Sequence, residues 1–132
     1  MIQVFCRNYA CIIHVYPHRL MLSRELAGAS AKPIILSILA SRESYGYAIL
    51  QRIEDLSDGE LSWDDSTLYP VLHRLENDGL LSSSWRTADN RRRRKYYRLT
   101  SKGREELDTE KRQWLRVDAV LAQLWGLQPR LA

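Results

Sequence analysis

A chain of 132 residues, 45% of them hydrophobic, holds one modest core, so one domain with at most an appendage is expected. No apolar run approaches the ~20 residues that span a bilayer. The two cysteines, Cys6 and Cys11, make no disulfide framework, which suits a soluble cytoplasmic protein. The net charge of +4 conceals an asymmetry: Arg86 to Arg98 carries seven bases against one acid, a local +6 that leaves −2 for the rest. Such a concentration implies an anionic partner.

Residues 1–20 contain both cysteines, His14 and His18, and show no clear period. They are expected to be an N-terminal extension, either a disordered tail or a stretch ahead of a true start at Met21. Cys6, Cys11, His14 and His18 have the donor types for zinc in the spacing C-x4-C-x2-H-x3-H. The loop between the pairs is very short for a finger, so no metal or cofactor is expected.

Leu22 to Ala27 reads as a helical lead-in capped by Ser23. A helix is then expected to open at Pro33, with Ile34, Ile35, Ile38 and Leu39 as its apolar stripe. Ser44 is expected to cap a second helix, in which Tyr45, Ile49, Ile53 and Leu56 recur at helical spacing and Gly59 lies just past the end. Leu61-Ser62-Trp63 suits no more than a small edge strand. Asp64 caps a third helix with Leu68, Val71, Leu72 and Leu75 as its buried face, stopped by Asn77-Asp78-Gly79.

That periodicity leaves Ser66, Thr67, Tyr69, Pro70, His73 and Arg74 on the opposite face, as hydroxyls, a phenol, an imidazole and a guanidinium able to meet phosphates or base edges. Pro70 deletes one backbone bond, and a loosened turn is expected there. Leu81 to Thr87 and Arg93 to Leu99 read as a hairpin with a polar tip, Ala88 to Arg92. Tyr97 and Leu99 should face inward while Arg94, Tyr96 and Arg98 face outward. Arg91, Arg92, Arg93, Arg94, Lys95 and Tyr96 are therefore the candidate phosphate-gripping group, held in place by a strand. Thr100 caps a last helix ending near Gly126, about 25 residues or roughly 37 Å long. Its seam of Leu107, Trp114, Val117, Leu121 and Leu124, with Glu110 as a polar intruder, is near-heptad and suits self-association.

The expected class is mainly α with a small β-hairpin: a winged helix-turn-helix over 21–100, a dimerisation helix over 101–126 and a tail over 127–132. Catalysis is not expected. His73 has no nucleophile at a fixed local spacing, no glycine-rich phosphate loop is present, and capping accounts for Asp64-Asp65.

Several blocks, in this order, resemble the PadR family of bacterial transcriptional regulators. They are Ser44-Tyr45-Gly46-Tyr47, Gly59-Glu60-Leu61, Thr67 to Glu76, Asp78-Gly79-Leu80 and Arg92 to Thr100. The resemblance covers about residues 22–125 and looks like the short subfamily with a single C-terminal helix. It implies a homodimeric winged-helix repressor of a palindromic double-stranded DNA operator. The helix from Asp65 to Asp78 would read the major groove, and the basic hairpin would lie along the backbone or minor groove. Some members of that family bind a small flat aromatic effector between protomers, sandwiched by tryptophan; Trp114 and Trp125 are the candidates for such a role here, against the plainer reading that they are core. The rival expectation is a winged-helix module that docks on a protein or anionic surface and reads no bases.

Overall fold

The computed structural model describes residues 22–128. Four helices and a three-stranded antiparallel sheet are present among them: α1 (Arg24–Ser41), β1 (Ser44–Tyr45), α2 (Gly46–Leu56), α3 (Asp65–Asn77), β2 (Leu81–Thr87), β3 (Arg93–Leu99) and α4 (Ser101–Leu124). The candidate zinc quartet Cys6, Cys11, His14 and His18, and the extension that carries it, lie outside the described residues, as do the last residues of the tail.

The helix starts follow local chemistry. Ser23 accepts a hydrogen bond from the Leu26 N–H, Asp64 from the Thr67 N–H and Thr100 from the Gly103 N–H, each satisfying an otherwise orphaned donor. Gly79 closes α3 with φ of +78°, in the left-handed region that lets the chain turn sharply into β2.

Two expected helix starts are corrected. No helix opens at Pro33, because Pro33 lies inside α1, which runs unbroken from Arg24. One backbone bond, to the Ala29 carbonyl, is lost there. The flanking turns are held by burial of Ala31, Ile35, Leu36 and Leu39 and by an ion pair from Lys32 to Glu106 of α4 at 2.5 Å. Nor does Ser44 cap the second helix. It is drawn into the sheet opposite Tyr97, and Tyr45 occupies the cap position without a side-chain bond.

The third strand is accordingly Ser44–Tyr45, pairing with β3 in the order β1-β3-β2. Leu61-Ser62-Trp63 forms no strand. The Leu61 N–H is taken by the Ser57 hydroxyl at 2.9 Å, while Leu61 and Trp63 pack on the core instead of pairing with a ladder.

The core lies where the helices meet the inner face of the sheet. Ile35, Leu36 and Leu39 of α1 pack with Ile49 and Ile53 of α2, Leu68, Leu72 and Leu75 of α3, and Leu80, Leu81, Tyr97 and Leu99. Tyr97 is 1% exposed and Leu99 is buried, while Arg98 is exposed and Arg94 and Tyr96 are half-buried on the other face. The alternation expected of a one-sided strand therefore holds. Leu107, expected in the self-association seam, is instead buried in this core. It belongs to the first turns of α4, where Gly103 passes so close to the Leu80 carbonyl that a Cβ would collide with it.

Candidate nucleic-acid interface

The helix-turn-helix of α2 and α3 presents the polar face of α3 beside the hairpin. Tyr69 and His73, one helical turn apart with ring centroids 6.5 Å from each other, line a cleft of about 520 Å³. The wing supplies its other wall through Trp85, Arg92, Arg93, Arg94, Lys95 and Tyr97; Tyr45, Gly46 and Tyr47 contribute at the start of α2. The polar face of α3 and the cationic hairpin thus open onto one surface.

The expected site residues do not all play the same part. Pro70 and Arg74 are exposed on α3 but lie outside the cleft lining. The hydroxyls of Ser66 and Thr67 already donate to the capping carboxylate of Asp64, at 2.6 and 3.1 Å. Those bonds, the Ser66 hydroxyl first, hold the Asp64 carboxyl below its ordinary range. Arg91 sits at the hairpin tip with φ of +61°. Tyr96 meets the edge of Tyr45 at 5.4 Å between centroids, beneath the Arg86 guanidinium at 4.8 Å, and so braces the outer face of the sheet.

The +6 of the segment is not all free. Arg86 makes a two-pronged pair with Glu43, whose carboxyl it holds below the usual range. Lys95 reaches Glu76 at 3.5 Å. Among the described residues no ion pair engages Arg91, Arg92, Arg93 or Arg94. Two of these are aimed by aromatic rings: Arg93 lies 5.4 Å from the Trp85 ring centroid and Arg94 4.4 Å from that of Tyr45.

Sequence reasoning missed the tie between wing and helix. Glu76, in the last turns of α3, accepts from the Ser83 hydroxyl on β2 and from Lys95 on β3. It also missed Trp85, although strand parity carries the signal. Trp85 stands opposite Lys95 in the ladder, on the hairpin face shared by Arg93 and Tyr97.

On α4, Val117, Val120 and Leu124 are exposed, as is Trp125 just beyond the helix. Leu121 and Trp114 are half-buried. The Trp114 indole N–H donates to Glu110 at 3.1 Å, and Glu110 also pairs with Lys32 at 3.4 Å. The polar intruder in the seam is thus a strut between α1 and α4. No helix among the described residues is long and apolar enough to cross a membrane.

A helix-turn-helix whose second helix shares a cleft with a cationic β-wing defines the winged-helix class of nucleic-acid-binding proteins. Residues 35–109 match the family model described as the transcriptional regulator PadR-like family. A transcriptional regulator of Mycobacterium tuberculosis is 42% identical over 89 residues, covering 67% of this chain and 79% of that protein. Among solved structures, a transcriptional regulator from Clostridium thermocellum aligns with a TM-score of 0.70 at 29% identity, over 78% of this chain and 97% of that one. A PadR family transcription regulator from Clostridium difficile aligns with a TM-score of 0.63 at 31% identity, over 73% and 98%. The chain belongs to the PadR-like family and is a DNA-binding winged-helix transcriptional regulator. The family and these relatives are regulators of transcription rather than enzymes.

Proposed function

We propose that the protein is a homodimeric repressor that binds a palindromic operator in the cytoplasm. The face of α3 bearing Tyr69, Pro70, His73 and Arg74 reads the major groove, while Ser66 and Thr67, whose hydroxyls donate to Asp64, hold the helix start that abuts it. Arg91, Arg92, Arg93 and Arg94 grip the flanking backbone, with Lys95 tied to Glu76 behind them and Tyr96 supporting them from the sheet. The observation that carries this reading is the common cleft: Tyr69 and His73 stand across it from Arg92 to Lys95. One duplex can meet both walls, so phosphate contacts fix the register in which the helix meets base edges.

Dimerisation is assigned to the outer part of α4, through Trp114, Val117, Leu121 and Leu124, with Leu107 buried behind it in the core. Val117 and Leu124, exposed beside half-buried Trp114 and Leu121 on a 24-residue helix, suit a twofold partner. Two wings would then address half-sites about one turn apart, ~34–36 Å. A flat aromatic effector against Trp114 or Trp125 would act by changing that spacing.

Competition binding tests the function. The DNA upstream of the coding region should outcompete random duplex by at least ~1000-fold at physiological salt. Equal affinity for the two would leave a non-reading interaction module as the better account.

A further inference from the structure

Trp85 is the feature of the cleft that phosphate gripping leaves unexplained. Beyond Leu81 it is the one apolar residue of β2, amid three serines, an arginine and a threonine, yet 59% of it is exposed. Register places it opposite Lys95, so strand alternation puts it on the face with Arg93 and Tyr97 and not on the outer face with Arg86 and Arg94. The Arg93 guanidinium, 5.4 Å from the ring centroid, restrains the indole where water would otherwise leave it free. The unpaired arginines around it mark the occupant as a polyanion. A duplex also offers apolar surface, along the deoxyribose walls of its minor groove.

We infer that Trp85 is the wing's groove-contacting residue, an apolar wedge that packs against sugar rings in the minor groove while Arg92, Arg93 and Arg94 hold the phosphates on either side. This rests on the winged-helix reading above and adds a contact of a different chemical kind. Proteins that enter the minor groove frequently carry apolar side chains, there wedged between base steps, so apolar surface on a minor-groove element has precedent. Such a contact releases no counterions, so its share of the affinity is independent of salt, unlike that of the arginines.

The test is binding of the parent protein, Trp85→Ala and Trp85→Phe to the upstream duplex and to a random duplex across a salt series. Burial of about 60 Å² of indole corresponds to about tenfold in affinity per wing. Trp85→Ala should therefore bind both duplexes at least about tenfold more weakly at every salt concentration, giving a parallel line of log affinity against log salt. Trp85→Phe should fall between the two. Filling the flanking minor groove with distamycin should weaken the parent more than Trp85→Ala. Unchanged affinity in Trp85→Ala, a changed slope, or equal loss with distamycin would each overturn the inference while leaving the winged-helix reading intact. Failure of the parent to bind either duplex would overturn both.

Discussion

Tyr69 of α3 lies so close to Gly46, the first residue of α2, that a methyl group added to the glycine would stand 2.5 Å from the phenolic oxygen. The exposed aromatic residue of α3 thus uses the start of the preceding helix as its seat. Tyr69 remains 38% exposed, so the seat fixes its direction without hiding it.

Gly46→Ala should accordingly push the Tyr69 ring aside, because the far end of a side chain yields more readily than backbone. The ring it displaces is partly exposed and has room to move, so stability should hardly change. The preference for the upstream duplex over random DNA should fall roughly tenfold. A thermal melt and competition binding check the pair of effects; intact preference would show that the ring's direction is immaterial.

The arginines divide by partner. Replacing Arg93 and Arg94 with alanine in both protomers of a dimer removes up to four phosphate contacts and should flatten the salt slope by about 3 to 4, at about 0.9 per contact. Arg86→Ala, whose guanidinium is already held by Glu43, should change it by less than about 1. Similar changes in the two variants would show that the Glu43 pair does not withhold Arg86 from DNA.

The outer row of α4 predicts a change in assembly. Leu124 is 74% exposed in the protomer, so Leu124→Asp should leave the fold standing and yield monomers in sedimentation equilibrium. DNA affinity should fall with the loss of the second half-site. Persistence of a dimer would place the seam elsewhere.

Asp64 makes acid stability a readout of the α3 cap. Its carboxyl is depressed in the folded state by the Ser66 hydroxyl and by the N–H and hydroxyl of Thr67. The stabilisation is complete above the ordinary aspartate value, about 3.9, and is lost as pH falls through the depressed folded value. Asp64→Asn, a good but non-titrating cap, should shallow the acid limb of a pH–stability curve while the neutral plateau stays near the parent's. An unaltered acid limb would assign acid sensitivity elsewhere, with Glu43 as the next candidate.

The bounds of β2 and β3 were legible because Tyr97 and Leu99 alternate with Arg94, Tyr96 and Arg98, and a half-buried strand has few other ways to arrange them. Leu68, Leu72 and Leu75 similarly fixed the buried side of α3 and, by exclusion, its polar side. What escaped depended on partners distant in sequence. Ser44 reads as a cap until β3 offers it a ladder, and Pro33 reads as a helix start until Lys32 and its apolar neighbours hold α1 together across it. The pairing of Arg86 with Glu43 spans 43 residues and has no local signature. Leu107 fits a heptad as well as it fits a core; only the approach of α4 to Leu80 decides between them.

Footprinting of the upstream duplex, with dimethyl sulfate for major-groove guanines and hydroxyl radicals for the sugar backbone, is the most direct measurement. Protected guanines should be flanked within the same half-turn by protected sugars that reappear in Arg93→Ala/Arg94→Ala, the pattern repeating about one turn away, ~34–36 Å. Protected sugars with every guanine still reactive, or guanine protection on the duplex face opposite the wing footprint, would contradict a helix and wing that hold the same stretch of DNA.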